Sequence, residues 1–163
     1  MKILIVCLGN ICRSPLAEGI LQKKATEAGL NWIIESAGTN GYHTGEAPHH
    51  LSQKVAKANG VDISKQLSRK FIPDDLKKYD IIYVMAQDVL SDIQKLSGPL
   101  FSANKIKFFL DELHPGKRLD VPDPWYGDED GYHEVYKLID ETCDAIIKNY
   151  NITTKQSLGH TSK

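Results

Sequence analysis

The chain has 163 residues, of which 41% are apolar and 25% are charged. This length and composition predict one globular domain and exclude a disordered chain, a coiled coil or a collagen-like repeat. Twenty basic residues face 21 acidic ones, so the net charge of -1 offers no field for nucleic acid or an anionic membrane surface. No apolar stretch approaches the roughly 18 residues that a membrane-spanning helix needs. The chain has three cysteines, an odd number, which does not suggest the disulfide framework of a secreted protein. We therefore expect a cytoplasmic protein that binds neither nucleic acid nor membrane.

Strand and helix patterns alternate along the chain. Residues 2–6 form a short β-branched and leucine run, typical of a strand buried on both faces, and helical periodicity then begins at Pro15 and ends at Gly29. Further strands are predicted at residues 32–37, 80–85 and 105–110, and further helices at residues 48–59, 73–78, 89–96 and 131–150. Residues 38–45 and 121–130 are predicted loops, the second one acidic.

Four strands separated by helices predict a three-layer α/β fold, with a four-stranded parallel twisted sheet and helices on both faces. One domain is expected at residues 1–150, followed by a flexible polar tail at residues 151–163, where no periodicity remains. Right-handed crossovers would place the loops after the strands along one edge of the sheet, where ligands of open α/β folds bind.

The segment CLGNICRSP, residues 7–15, joins the first strand directly to a helix N-terminus. Residues 7–14, called the anion loop below, have free backbone N–H groups and a favourable helix dipole, and Gly9 and Asn10 permit a tight turn. Phosphate is the anion that suits such a loop. Its expected binding groups lie in Leu8, Gly9, Asn10, Ile11, Cys12 and Ser14.

The first and last parts of the anion loop carry the groups that phosphate chemistry needs. A cysteine beside a helix N-terminus and a cation ionises readily, so Cys7 is the predicted nucleophile. Arg13, six residues later, can grip two phosphate oxygens with its planar fork, and Ser14 can stabilise the sulfur as a leaving group. The alternative interpretation of Cys7 is a small buried residue at a strand end.

A departing alkoxide or phenoxide also needs a proton. Asp123 is the candidate acid, because Pro122 and Pro124 hold it in a stiff loop and the following aromatic residues supply an apolar wall. The alternative is an ordinary acidic turn.

The chain resembles the low-molecular-weight protein tyrosine phosphatases over residues 2 to 149. Two motifs carry the resemblance: CLGNICRSP near the N-terminus, and Asp123-Pro124 followed by two aromatic residues. The resemblance implies that Cys7 is the nucleophile, Arg13 the phosphate clamp, and Asp123 the general acid and later the base. It implies a phosphotyrosine-containing protein or a small aryl phosphate as substrate, inorganic phosphate as product, no cofactor and no metal. The oligomeric state stays open, with a monomer as the default.

The same resemblance assigns supporting roles. Ser36 would hold the anion loop by hydrogen bonding with Asn10, and Cys12 would protect Cys7 through a reversible disulfide. The aromatic walls of the substrate cleft would be Tyr42, Trp125 and Tyr126. Two residues depart from the pattern of the family: Gln66 stands where relatives commonly have a loop-supporting histidine, and Ala86 where many have an aspartate.

Other functions remain open. An arsenate reductase on this fold needs additional cysteines, and the chain has none between Cys12 and Cys143. Protein-arginine phosphatases resemble this pattern with threonine at the position of Ile11. A phosphocarrier subunit also accepts phosphate on a cysteine after its first strand, but it must keep the phosphocysteine. A module that binds phosphate without turning it over is the last alternative.

Overall fold

The structure, a computed structural model, describes the backbone of residues 1–161 and the side chains of residues 1–125 and 127–151. Four strands form one parallel sheet in the order β2-β1-β3-β4: β1 (Lys2–Cys7), β2 (Ile33–Gly38), β3 (Ile81–Val84) and β4 (Ile106–Phe108). The helices are α1 (Arg13–Glu27), α2 (His50–Ala58), α3 (Asp75–Lys78), α4 (Gln87–Ser97) and α5 (Glu129–Thr161). The predicted fold class is confirmed.

The central strand β1 is buried on both faces, as its continuous apolar run predicted. Ile3 and Ile5 pack in one core cluster with residues of α1, α2 and α5, whereas Leu4 and Val6 pack in a second cluster with residues of α3 and α4. Because successive side chains of a strand point to opposite faces, one hydrophobic strand can hold both helical layers.

Several element boundaries differ from the predicted ones. β4 is shorter than predicted, because the chain turns into a 3-10 helix at Phe109–Glu112. Helix α1 begins at Arg13 rather than at Pro15, so the proline occupies the first turn, where a missing N–H breaks no helical bond. The backbone of α5 continues through Thr161; the side chains of the predicted tail beyond residue 151, and residues 162–163 altogether, lie outside the described residues.

The sheet brings the functional loops to one edge. The anion loop follows the carboxyl end of β1, and Cys7 pairs in register with Gly38 at the end of neighbouring β2. The backbone of Val121 donates to the carbonyl of Met85, just after β3, and so fastens the acidic loop to the same edge. None of the described helices combines the length and the apolar composition that crossing a bilayer would require.

Candidate active site

The anion loop wraps around the Cys7 sulfur. The thiol is 2% exposed, and its Sγ lies 2.9 Å from the Ser14 hydroxyl and accepts the backbone N–H of Asn10 at 3.3 Å. Asn10 adopts φ 58, the left-handed conformation that asparagine tolerates and that the tight turn of the loop requires. The loop therefore surrounds the sulfur with hydrogen-bond donors, which suit a thiolate.

Arg13 is a buried cation at the first position of α1. Its side chain is 6% exposed, its Nη1 donates to the carbonyl of Val121 at 2.9 Å, and its Nη2 lies 3.7 Å from the Asp123 carboxylate. A buried charge needs such partners to offset its desolvation. The acidic loop thus fixes the guanidinium at the mouth of the anion loop, although residues 13 and 123 are far apart in sequence.

Asp123 occupies the N-cap of a 3-10 helix, Pro124–Tyr126. One carboxylate oxygen accepts the backbone N–H of Trp125 at 3.0 Å, and the other faces Arg13. With its side chain 28% exposed, the carboxylate is open to solvent on one side. A carboxylate held in this way can exchange a proton with a group bound in the anion loop.

These groups line one cleft of about 240 Å³. The predicted site residues that line it are Cys7, Leu8, Gly9, Ile11, Cys12, Arg13, Tyr42, Asp123 and Trp125. Asn40 and His43 line it as well and were missed, because a loop residue carries no periodic signal. Tyr42 is 86% exposed and Trp125 46% exposed, so both aromatic rings stand at the rim. The side chain of Tyr126 lies outside the described residues.

The side chains of Asn10, Ser14 and Ser36 lie behind the backbone of the anion loop, not in the cleft. The amide nitrogen of Asn10 donates to Ser14 Oγ at 2.8 Å and to Ser36 Oγ at 2.9 Å. The predicted contact between Asn10 and Ser36 is therefore present. These bonds tie the loop to β2, the strand that carries Ser36.

Ser68 and Arg69 also support the anion loop, and this role was not predicted from the sequence. Ser68 Oγ donates to the carbonyl of Gly9 at 3.1 Å, and the backbone N–H of Arg69 donates to the Asn10 side-chain oxygen at 3.0 Å. Gly38 was missed as well; a Cβ at this position would lie 2.8 Å from the carbonyl oxygen of Leu8. Only glycine lets β2 approach the loop backbone this closely.

The two departures from the family pattern have different consequences. Gln66 donates its amide to the carbonyl of Pro15 at 3.1 Å, so it contacts the first turn of α1, and its buried Oε1 has no hydrogen-bond partner among the described residues. Ala86 precedes α4 without a side-chain cap, and the Asp120 carboxylate accepts the N–H of Gln87 at 2.8 Å instead. An aspartate from another part of the chain thus satisfies the first backbone N–H of α4.

Cys12 lies beside Cys7 but in a different electrostatic environment. The pKa of the Cys12 thiol is raised to about 11, chiefly by burial and to a lesser extent by nearby Cys7 and Asp123, although the Tyr132 hydroxyl, 3.5 Å away, acts in the opposite direction. Cys143 is fully buried in the core, which raises its pKa well above the ordinary value. Both thiols therefore stay protonated at neutral pH, and neither forms a disulfide in this structure.

His49 caps the N-terminus of α2 and packs against Trp125 at the rim of the cleft. Its Nδ1 accepts the backbone N–H of Leu51 at 3.1 Å, and its ring packs against Trp125, Tyr132 and His50. Burial, followed by the repulsion of His50, lowers the pKa of His49 below its ordinary value near 6.5. A protonated ring could not accept the Leu51 N–H, so folding favours the neutral form.

Protonation of His49 is therefore expected to destabilise the fold in mild acid. A lowered folded-state pKa gives a stability contribution that is complete above about pH 6.5 and is lost progressively as the pH falls below it. His49→Asn, which retains an N-cap acceptor, is expected to lose less free energy of unfolding than the native chain between about pH 7.5 and about pH 5.5. Guanidinium titrations measure this, with His133→Asn as the control; an equal loss in His49→Asn and the native chain would contradict it.

No group of three or more His, Cys, Asp or Glu side chains in the described part of the chain is placed to hold a metal ion together. The reactive groups that line the cleft are the thiols of Cys7 and Cys12, the Arg13 guanidinium and the Asp123 carboxylate.

Comparisons with known proteins agree with this geometry. The family model for low molecular weight phosphotyrosine protein phosphatase matches residues 2–157. The low molecular weight phosphotyrosine protein phosphatase of Schizosaccharomyces pombe is 38% identical over 144 residues, covering 86% of this chain and 91% of the relative. A protein tyrosine phosphatase of Entamoeba histolytica, solved with Hepes in its active site, superposes with a TM-score of 0.84 at 34% identity, over 94% of this chain and 99% of the other.

A third similar protein, Wzb of Vibrio vulnificus, was solved in complex with benzylphosphonate. It superposes with a TM-score of 0.81 at 30% identity, over 91% of this chain and 97% of the other. The family model spans nearly the whole chain, and the similar structures cover almost all of the described fold. This chain belongs to the low molecular weight phosphotyrosine protein phosphatase family.

Proposed function

We propose that the protein hydrolyses phosphotyrosine monoesters through a phosphocysteine intermediate on Cys7. The observation that carries the proposal is the cleft itself, in which the Cys7 thiol and the buried Arg13 guanidinium of the anion loop meet the Asp123 carboxylate from a distant part of the chain. Family membership gives the reaction class, and the cleft provides each group that the reaction requires.

In the first step, the backbone N–H groups of the anion loop and the Arg13 guanidinium hold the phosphoryl oxygens. The Cys7 thiolate attacks phosphorus, a sulfur–phosphorus bond forms and the bond from phosphorus to the phenolic oxygen breaks. Asp123, in its protonated form, gives its proton to that oxygen, so tyrosine leaves as a neutral phenol. Arg13 stabilises the charge on the transferring group.

In the second step, the Asp123 carboxylate takes a proton from a water molecule, and the water oxygen attacks phosphorus. The sulfur–phosphorus bond breaks, inorganic phosphate leaves and Cys7 departs as a thiolate. The Ser14 hydroxyl, 2.9 Å from the sulfur, can donate to it as negative charge develops there. The need for a reduced Cys7 favours a reducing compartment, such as the cytoplasm, as the site of action.

The substrate class follows from the depth of the cleft. Cys7 lies buried at the base, whereas Tyr42 and Trp125 stand exposed at the rim, so an aryl group can span the distance and lie between aromatic walls. The short side chain of phosphoserine would not reach. The benzylphosphonate bound by the Vibrio vulnificus protein also joins an aromatic ring to a phosphorus group, and Ile11 in the cleft favours an aromatic ring over phosphoarginine.

Turnover of three phosphopeptides of identical flanking sequence, carrying phosphotyrosine, phosphoserine or phosphoarginine, tests the proposal. We expect phosphate release from the phosphotyrosine peptide without added metal. Mass spectrometry of acid-quenched reactions should find the phosphoryl group on the peptide that contains Cys7. Preferred release from phosphoarginine would change the substrate class, and a stable phosphocysteine without phosphate release would support a phosphocarrier instead.

A further inference from the structure

A chain of hydrogen bonds runs from the Cys7 sulfur, behind the anion loop, to the carboxylate of Glu18. Ser14 Oγ contacts Cys7 Sγ at 2.9 Å, and the Asn10 amide nitrogen donates to Ser14 Oγ at 2.8 Å and to Ser36 Oγ at 2.9 Å. The Ser36 hydroxyl then donates to Glu18 Oε1 at 2.8 Å. The sequence alone gave no sign that Glu18 takes part.

The direction of each bond follows from the number of hydrogens available. The side-chain oxygen of Asn10 accepts the backbone N–H of Arg69 at 3.0 Å, which fixes the orientation of the amide. Both amide hydrogens are then used on the two serine oxygens. Each serine hydroxyl then has its own hydrogen free to donate. Ser36 donates it to the Glu18 carboxylate, and Ser14 donates it to the Cys7 sulfur.

Glu18 is the acceptor on which this arrangement ends. It lies on α1, one helical turn after Ser14, and it is partly buried. Burial raises the pKa of Glu18, while the hydrogen bond from Ser36 lowers it. Without the carboxylate, the Ser36 hydroxyl would have no acceptor for its hydrogen and could rotate. Its oxygen would then no longer hold the Asn10 amide in one orientation.

We propose that Glu18 is a positioning residue of the active site: by accepting the Ser36 hydroxyl, it holds the Asn10 amide so that the Ser14 hydrogen points at the Cys7 sulfur. The thiolate is thereby stabilised both as a free nucleophile and as a leaving group. The second consequence rests on the proposed phosphatase function, and the first does not depend on turnover.

The test compares the native chain with Glu18→Ala, Glu18→Gln and the control Glu27→Ala, an exposed glutamate on the same helix. The first measurement is the rate of iodoacetamide alkylation against pH, which follows the Cys7 thiolate because Cys12 and Cys143 stay protonated at neutral pH. The second is the kcat and KM for para-nitrophenyl phosphate. Circular dichroism melting reports whether each variant folds.

For Glu18→Ala, we expect the midpoint of the alkylation profile to move up by about one pH unit and kcat to fall roughly tenfold with KM nearly unchanged. Glu18→Gln should stay within about threefold of the native kcat, because its amide oxygen can still accept the Ser36 hydroxyl. Glu27→Ala should match the native chain in both measurements. Ser36→Ala should show the same changes as Glu18→Ala, and it carries the test if Glu18→Ala does not fold.

A folded Glu18→Ala variant with the native alkylation profile and kcat would overturn the proposal. So would a Glu18→Gln variant as impaired as Glu18→Ala, since the charge and not the acceptor would then matter. If the native chain alkylates as expected but turns over no phosphate ester, the proposed function fails, while the alkylation profiles still decide the role of Glu18.

Discussion

Replacing Cys7 by serine is expected to lower kcat for para-nitrophenyl phosphate by at least about ten-thousandfold, because the reaction loses its nucleophile. A serine hydroxyl is not ionised near neutral pH, and a phosphoserine would release phosphate far more slowly than a phosphocysteine does. Steady-state hydrolysis at matched protein concentrations measures the effect.

The control for this loss is Cys143→Ala, which alters a core cysteine on α5, away from the cleft. It should retain turnover. Calorimetric titration of Cys7→Ser with inorganic phosphate should give a binding constant no weaker than that of the native chain, since the variant keeps the loop and Arg13 but loses the negative sulfur. Residual turnover within about a hundredfold of native, with phosphate still bound, would exclude Cys7 as the nucleophile.

Asp123→Asn is expected to lower kcat/KM for phenyl phosphate about 100- to 1,000-fold and to affect para-nitrophenyl phosphate much less, by under about tenfold. A phenolate needs a proton as it leaves, whereas nitrophenolate is stable without one. The ratio kcat/KM reports only the steps up to formation of the phosphocysteine, so it isolates the role of Asp123 as an acid. Asparagine can still accept the Trp125 N–H, which preserves the start of the 3-10 helix.

Asp128→Asn serves as the matched control, because Asp128 is an exposed carboxylate in the same loop that accepts the Gly131 N–H at 3.4 Å. It should leave kcat/KM for both substrates unchanged. An equal loss with both substrates in Asp123→Asn would contradict the proton transfer and would indicate that Asp123 acts only by holding Arg13, 3.7 Å away.

Much of the fold could be predicted because its signals are local. The apolar run of β1 and the helical periodicity of α1 both lie within a few residues of their own elements, and the backbone bonds that form them are equally local. The prediction was less accurate at β4 and at the start of α5, where a 3-10 helix and the acidic loop meet regular structure. Such boundaries depend on contacts with neighbouring segments, which local sequence patterns do not describe.

The candidate site divides in the same way. The anion loop is continuous in sequence, so its cysteine, arginine and serine could be identified together, and the resemblance to the family strengthened the assignment of Asp123, which its proline-bracketed loop had already made the candidate acid. The missed residues act across long sequence separations: Ser68 and Arg69 bind the loop from another segment, and Asp120 caps α4 in place of Ala86. Hydrogen bonds of this kind leave no periodic pattern.

By itself, the sequence determined that residues 7–14 form a tight turn between a buried strand and a helix, and it predicted that this turn binds an anion, because glycine, asparagine and the helix N-terminus act within a few residues. Only the tertiary structure decided that Arg13 and Asp123 share one cleft and that Glu18 ends the hydrogen-bond chain from Cys7. The physical reason is the parallel sheet. Its crossovers bring the carboxyl ends of distant strands to one edge, and side chains that are far apart in sequence then lie within hydrogen-bonding distance.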